Sequence, residues 1–328
     1  MLKSIDLAIC RTFSRYIPGR SSLSCFLFHG LYPDEKAKKS NQVDPQQFIS
    51  TEDFEKFIKY YLGKGYLFVS PQDVLAGLQP DKQYALITFD DGYFNNQYAL
   101  PILKKYNVPA VFCISTANVL ENKSFWWDCL YRERVQRKTW PAQLELERRK
   151  LKLMKAIDIE KYILEKFGPD ALVPQSDLDR PFTPAELKKF AQEKYVHLGN
   201  HTHEHAILSN YSALEARSQI HSAQQTISGL IGKPPDVFSY PNGAYSWELA
   251  KITKEVGIGL AVTNEPKKNY FPINSKKPEQ SILLGRFLLK GDGEISRQCE
   301  IFHSDFSLYL RSKKFVADLL KFRTFVAF

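Results

Sequence analysis

Short unbroken apolar runs alternate along the chain with longer stretches whose apolar residues recur at helical spacing. The clearest run is Ala85-Leu86-Ile87-Thr88-Phe89, which stops at Asp90-Asp91-Gly92. Apolar residues with β-branched members, closed by a turn signal, predict a buried strand. Residues 95–106, with Pro101 early and Lys104-Lys105 late, predict a helix, and the run ending at Ile114 predicts a second strand. This strand–helix–strand unit carries its two carboxylates at the C-terminal end of the first strand, where α/β folds place their chemistry.

The same alternation extends in both directions. Before the unit, the pattern predicts a strand ending at His29, a polar loop over 32–46 and a helix over 45–63 with Thr51 and Asp53 as candidate caps. A strand over 65–70 and a short helix opened by Ser70-Pro71 follow. Residues 115–122 read as a loop. Between Phe125 and Pro181 the chain turns rich in Arg, Lys, Glu and Leu with no strand signal, which predicts a helical insertion over about 123–181. Thr183-Pro184-Ala185-Glu186 is a helix start with a capping-box Glu, and it leads to a strand at Val196-His197-Leu198. Beyond lie helices over 212–231 and 247–256, and strands at Phe238-Ser239-Tyr240, 258–263 and 282–289. Pro241-Asn242-Gly243 is a turn signal that places Tyr240 at a strand end with its backbone N–H available.

Two stretches carry chemistry. Adjacent carboxylates on the rim of a core are costly unless a cation or a shared task holds them; the plain alternative is an Asp-Asp-Gly turn. Three of the chain's seven histidines fall within His201-Thr202-His203-Glu204-His205. Imidazoles at i and i+4 can converge on one metal, and His with carboxylate is a common zinc set. Two His and one Asp leave positions open for water, which is the catalytic pattern rather than the structural one. His203, at the odd offset, points away from such a metal.

Thr88-Phe89-Asp90-Asp91-Gly92 followed by His201-Thr202-His203-Glu204-His205 resembles the first two motifs of the polysaccharide deacetylase family, the NodB-homology enzymes of carbohydrate esterase family 4. Cys25-Phe26-Leu27-Phe28-His29-Gly30 is similar to the N-terminal "YH" strand of many members, and Phe238-Ser239-Tyr240-Pro241-Asn242-Gly243 to their third motif. The resemblance runs from about residue 24 to 289 and implies an α/β fold, a distorted (β/α)7 barrel over 24–295 interrupted by the helical insertion. It implies that Asp91, His201 and His205 hold a divalent metal, zinc first among the candidates, with Asp90 as general base. It further implies that the Tyr240 backbone N–H stabilises the oxyanion and that Tyr240 and Pro241 meet the substrate. Trp126 and Trp127 are candidates to stack on a sugar ring, or else to anchor the insertion.

The chain departs from the family twice. The last strand, Leu284-Gly285-Arg286-Phe287, lacks the histidine that serves many members as general acid, so His29 is expected in that role. Ser239 stands near where many members have an arginine that orients the base, and Arg286 is expected to substitute. The expected function is metal-dependent removal of an N-acetyl group from an amino sugar of a polysaccharide or glycan precursor. A non-catalytic carbohydrate-binding relative is one alternative. Hydrolysis of a non-sugar amide or N-formyl group is the other, because the motifs specify the reaction centre and not the acyl acceptor.

Charge and cysteines bound the setting. The formal charge is +9, yet no zinc-finger, helix-turn-helix or RNP-like pattern accompanies it, and no nucleic-acid partner is expected. The excess gathers partly at the ends. Residues 1–23 carry Lys3, Arg11, Arg15 and Arg20 with Leu2, Ile5, Ile9 and Phe13 at helical spacing. Residues 296–328 carry Arg311, Lys313, Lys314, Lys321 and Arg323 with Phe315, Leu319, Phe322 and Val326. Such segments suit peripheral association with an anionic membrane, or pack on the domain with solvated basic faces. The five cysteines are scattered and form no C-x-x-C pair, which fits a reducing compartment. The first twenty residues show no secretory pattern, since Asp6, Arg11 and Arg15 interrupt any apolar run. A cytoplasmic protein, peripheral at the inner face of the membrane, is the expectation.

Overall fold

Apolar runs become parallel strands when both faces are covered, and in Gln83–Phe89 six of seven residues are buried. The computed structural model describes residues 2–16, 19–45, 48–291, 293–308, 310 and 312. Seven parallel strands form the body of a ten-stranded main sheet: β1 (Ser22–Phe28), β2 (Gln83–Phe89), β3 (Ala110–Ile114), β4 (Val196–Asn200), β5 (Val237–Ser239), β6 (Leu260–Val262) and β7 (Ile282–Leu284). Each pairs with the next in order, β1 through β7. After Gly285 the chain continues as Arg286–Leu288, which pairs in parallel with β1 through Cys25↔Arg286. One run thus joins both edges and nearly closes the sheet into a barrel.

The single strand expected over 282–289 is therefore broken at Gly285, and the reason is steric. A Cβ there would lie 2.6 Å from the Glu265 carbonyl oxygen. The backbone at the break is held by Asn269, which accepts from Gly285 N at 2.8 Å and donates to Gly285 O at 3.0 Å. Three other expectations are corrected. The helix expected over 45–63 begins at Thr51, because Phe48–Ser50 first forms a strand beside Gly30–Tyr32. Its cap is Ser50, whose Oγ accepts from Asp53 N at 3.0 Å, and neither Thr51 nor Asp53 caps it. The loop expected over 115–122 contains a helix, Thr116–Glu121, closed by Asn122 in the left-handed conformation. The polar stretch after Tyr32 contains one helical turn, Glu35–Lys38, capped by Asp34.

Aromatic rings fill the barrel wall on the side of the Thr51–Gly63 helix, with Phe26, Phe28, Phe54, Phe57, Phe89 and Phe112 all buried. Each contributes about 1.5–3 kcal/mol by leaving water. Residues between β3 and β4 form the helices Trp126–Gln136, Pro141–Leu151 and Ala156–Phe167, which enclose a small core of their own around Cys129, Leu130, Leu144 and Ile163. A buried Arg132–Asp179 pair at 2.8 Å ties the first of these helices to the returning chain.

The N-terminal helix Leu2–Tyr16 packs on the helix Ile295–His303. Its contact face carries Asp6, which accepts from Ser307 Oγ and Leu308 N at 3.0 and 2.7 Å, and buried Cys10. Ile5, one of the apolar stripe, stays 49% exposed. The C-terminal residues Phe315, Leu319, Phe322 and Val326 lie outside the described residues. Among those described, no helix is long and apolar enough to cross a membrane. All five cysteines are buried and free.

Candidate active site

β3 stands between β2 and β4, and its end holds the two motifs in register. Ser115 N donates to Asp91 O at 3.1 Å, and His201 N donates to Ile114 O at 3.0 Å. Asp90 N donates to Phe28 O at 2.9 Å, which sets His29, at the end of β1, beside the carboxylates. Adjacent side chains on an extended strand point to opposite faces, so bringing both aspartates to one cavity needs an irregular strand end. The chain supplies it: Asp91 takes φ +78° and Gly92 φ +94°. A Cβ on Gly92 would press on Ile114 at 3.2 Å and would strain that conformation.

Asp91 Oδ1 lies 3.4 Å from His201 Nε2 and 3.3 Å from His205 Nε2. One donor atom from each of the three falls within 4.8 Å of the others. Burial pushes the Asp91 carboxyl up, but the two imidazoles outweigh it and hold the group far below the usual carboxylate range. Asp91 Oδ1 is nevertheless buried without a hydrogen-bond partner, as is fitting for an atom that faces a cation. His201 Nδ1 lies 2.8 Å from Ser239 O and donates to it, which directs Nε2 toward Asp91. A backbone carbonyl that fixes a ligand's tautomer is the usual support of metal-binding histidines. His205 takes φ +50° within a loop braced by Asn200, whose Oδ1 accepts from Thr202 N at 2.9 Å. His203 faces elsewhere, with its Nδ1 2.8 Å from Thr116 Oγ1.

Asp90 is clamped rather than exposed to a cation. Arg286 reaches Asp90 Oδ1 through Nη1 at 2.8 Å and Oδ2 through Nη2 at 2.7 Å. Ser239 Oγ donates to Asp90 Oδ2 at 2.9 Å. The guanidinium also donates to Thr263 O, Thr88 Oγ1 and Asn264 Oδ1 at 3.0, 2.9 and 2.8 Å. Burial raises the Asp90 carboxyl, yet the Arg286 charge and fork hold it below its ordinary value, so it stays ionised. The geometry puts Arg286, from the strand after Gly285, beside Ser239.

These groups open into a cavity of about 170 Å³ lined by His29, Asp90, Asp91, His201 and His205. His29 Nδ1 is buried with no hydrogen-bond partner. Burial pushes its pKa down, and the two aspartates only partly pull it back. Trp126 and Trp127 also line the cavity. Trp127 is buried, donates from Nε1 to Tyr93 Oη at 2.8 Å and lies with its ring 4.6 Å from that of His205. It anchors the helix Trp126–Gln136 to the loop that carries His205, while half-buried Trp126 keeps surface toward the cavity.

The expectation for Tyr240 and Pro241 is corrected. Tyr240 N is spent on Val262 O at 3.2 Å, in the sheet, and cannot meet an oxyanion. Its side chain is fully buried, with the hydroxyl 3.0 Å from Thr253 Oγ1. Pro241, the first residue of the turn, is buried, and neither residue lines the cavity. The residue that does is Asn242, exposed at φ +57°. The Pro-Asn-Gly turn was visible in the sequence, but not which of its residues faces inward. Arg148, Lys152 and Asn264 line the cavity too. Their positions in a helical run and a loop gave no signal in the sequence.

Known proteins resemble the chain in sequence and in fold. The family model described as "Polysaccharide deacetylase" matches residues 77–261. A Bacillus subtilis protein named as a polysaccharide deacetylase, YxkH, is 23% identical over 224 residues, 66% of this chain and 59% of its own. The chain thus spans about three-fifths of that curated relative's length. Among solved structures, a polysaccharide deacetylase from Bacillus cereus superposes with TM-score 0.57 at 15% identity, over 85% of this chain and 68% of that one. The Streptococcus pyogenes deacetylase PplD, in complex with acetate, superposes with TM-score 0.55 at 15% identity, over 85% and 97%. IcaB from Ammonifex degensii gives 0.55 at 16% identity, over 86% and 98%. At such identities these likenesses establish the fold.

Proposed function

The chain belongs to the polysaccharide deacetylase family, and from that premise and the cavity's geometry we propose that it removes an N-acetyl group from an amino sugar with the help of a divalent metal. The observation that carries the reading is the convergence of Asp91, His201 and His205 within 4.8 Å, next to a second carboxylate held ionised by Arg286. The donor set, one carboxylate and two imidazoles with oriented tautomer, fits zinc with open positions. A cation bound there supplies Lewis acidity for the acyl carbonyl and lowers the pKa of water.

The chain's own groups divide the remaining work. Asp90, ionised and held by Arg286 and Ser239, takes the proton from the attacking water. Asn242, at the lip of the cavity, offers its backbone N–H to the developing oxyanion in place of Tyr240. His29, across from the carboxylates on β1, carries the proton to the leaving amine. Trp126 presents an aromatic face to the sugar, and Trp127 keeps the His205 loop in place. The substrate is an N-acetylated saccharide or glycan precursor.

The test joins metal analysis of the purified protein to acetate release from a panel of N-acetylated saccharides. Wild type is expected to hold a divalent metal and release acetate. Asp90→Asn is expected to keep the metal and lose about 10²–10⁴-fold in kcat, the usual worth of a general base. Asp91→Ala is expected to lose the metal. A wild-type protein without affinity for any divalent cation, or an Asp90→Asn variant of full activity, refutes the reading.

A further inference from the structure

The insertion does more than flank the barrel: its second helix delivers two cations to the cavity wall. Arg148 and Lys152, at the end and C-cap of Pro141–Leu151, both line the cavity that holds Asp90, Asp91 and His29. Arg148 is 8% exposed and pairs with buried Asp44 through Nη2, and with the half-exposed Glu145 through Nη1 at 2.8 Å. Its Nε is buried and has no hydrogen-bond partner. Lys152 Nζ donates to Asn242 Oδ1 at 3.1 Å, and among the described residues no carboxylate lies within ion-pair reach of it.

Like charges four residues apart on a helix repel, and a half-buried ammonium without a counter-ion costs more than either alone. Burial and the neighbouring Arg148 push Lys152 toward its neutral form, and the more distant Glu145, Asp44 and Asp91 only partly pull it back. Arg286 matches Asp90, Arg148 is matched by both Asp44 and Glu145, and Asp91 faces the two imidazoles. Among the described residues Lys152 is the cavity cation with no carboxylate in contact, since Glu145, Asp44 and Asp91 act on it only from a distance, and a neutral N-acyl sugar would not supply one.

We propose that Lys152 and the Nε edge of Arg148 form an anion subsite, and that the amino sugar taken by this site carries a phosphoryl group. Guanidinium and ammonium together suit a phosphate, whose oxygens accept charge-assisted hydrogen bonds from both. The inference rests on the metal-centred deacetylase reading, because it names the substrate class of that cavity. Phosphate monoester and diphosphate-linked sugar share the chemistry.

The experiment is calorimetric binding of glucosamine, glucosamine 1-phosphate and UDP-glucosamine to the full chain, in wild type, Lys152→Gln, Lys152→Met and Lys152→Arg. One or both phosphorylated sugars are expected to bind about 10-fold or more tightly than glucosamine, the scale of one charge-assisted hydrogen bond. Which of them does so identifies the linkage. The preference is expected to vanish in Lys152→Gln and Lys152→Met and to persist in Lys152→Arg. Equal binding of all three sugars by wild type overturns the proposal. So does a preference that survives in whichever neutral variant folds, since the phosphate would then be held elsewhere in the cavity. Acetate release from N-acetylglucosamine 1-phosphate, measured in parallel, separates the two readings. No release with the preference intact removes the deacetylase reading and leaves the subsite, and release without any preference does the reverse.

Discussion

Asp91 is held where few non-glycine residues go, at φ +78°, a conformation that costs on the order of 1–2 kcal/mol. Asparagine tolerates that region nearly as well, so Asp91→Asn separates backbone from charge. The variant is expected to keep the metal-free fold within about 1 kcal/mol, measured by chemical denaturation, while losing the metal in elemental analysis. Arg286 presents the opposite case, since its whole guanidinium is spent on Asp90, Ser239, Asn264, Thr88 and Thr263. Arg286→Ala leaves a buried carboxylate without its partner and is expected to cost about 3–5 kcal/mol. Because Arg286 holds Asp90 below its ordinary pKa, its loss moves the acidic limb of the pH–rate profile to higher pH. Arg286→Lys keeps the charge but not the two-pronged contact, and is expected to restore little of either readout. An unchanged rate and profile in Arg286→Ala would remove the orienting role.

At the scale of elements, the helix Trp126–Gln136 is keyed to the site through Tyr93, the residue after the Asp-Asp-Gly turn. Tyr93 Oη donates to Asp128 Oδ2 at 2.6 Å and accepts from Trp127 Nε1 at 2.8 Å. Asp128 Oδ1 in turn accepts from Asp44 N at 2.8 Å, and Asp44 pairs with Arg148. Tyr93→Phe leaves Asp128 Oδ2 and Trp127 Nε1 without their partner, at a cost of about 1–3 kcal/mol. Thermal melting and faster amide exchange over 126–151 are the measurements that check it. The helix Ile295–His303 carries a pH dependence of its own. Burial, with Lys268 and Lys64 nearby, lowers the His303 imidazole to about 4, and its Nδ1 lies 3.0 Å from Tyr66 Oη. The folded form therefore binds fewer protons than the unfolded one between about pH 6.5 and 4. That contribution is complete above the unfolded pKa and is lost as pH falls through the window, about 1–3 kcal/mol in all. Stability measured from pH 7 to 4 is expected to fall less steeply in His303→Gln than in wild type.

The whole molecule is a barrel whose last run reaches both neighbours, and the candidate metal ligands sit on the rim of that barrel. Asp91 comes from the end of β2 and His201 and His205 from the end of β4, with β3 between them, while Arg286 follows the break in the closing strand. Chelation is thus expected to lower the melting temperature of the entire domain, because a cation that binds only the folded state stabilises it by about 4 kcal/mol at a thousandfold excess over Kd. Calorimetry with and without a chelator checks this, and an unchanged midpoint would mean that no ion is held. Peripheral membrane association remains a proposal, resting on the basic character of the ends. The exposed Ile5 on the N-terminal helix gives it a place to be tested by liposome co-sedimentation.

Local chemistry alone was enough to identify the seven parallel strands of the main sheet, most helices, the carboxylate pair and the histidine cluster. Apolar runs bury themselves on both faces whatever surrounds them, and Asp-Asp-Gly or Pro-Asn-Gly turn wherever they occur. Ser50 rather than Thr51 as a cap, the helix at Thr116–Glu121 and the break at Gly285 depended on neighbours distant in the chain. So did the fate of the third motif. Whether Tyr240 N–H is free is settled by its pairing with Val262 O, a sheet contact across more than twenty residues. The facing of Asn242, Arg148 and Lys152 into one cavity was likewise beyond any local pattern, because their meeting depends on how the insertion docks on the barrel rim.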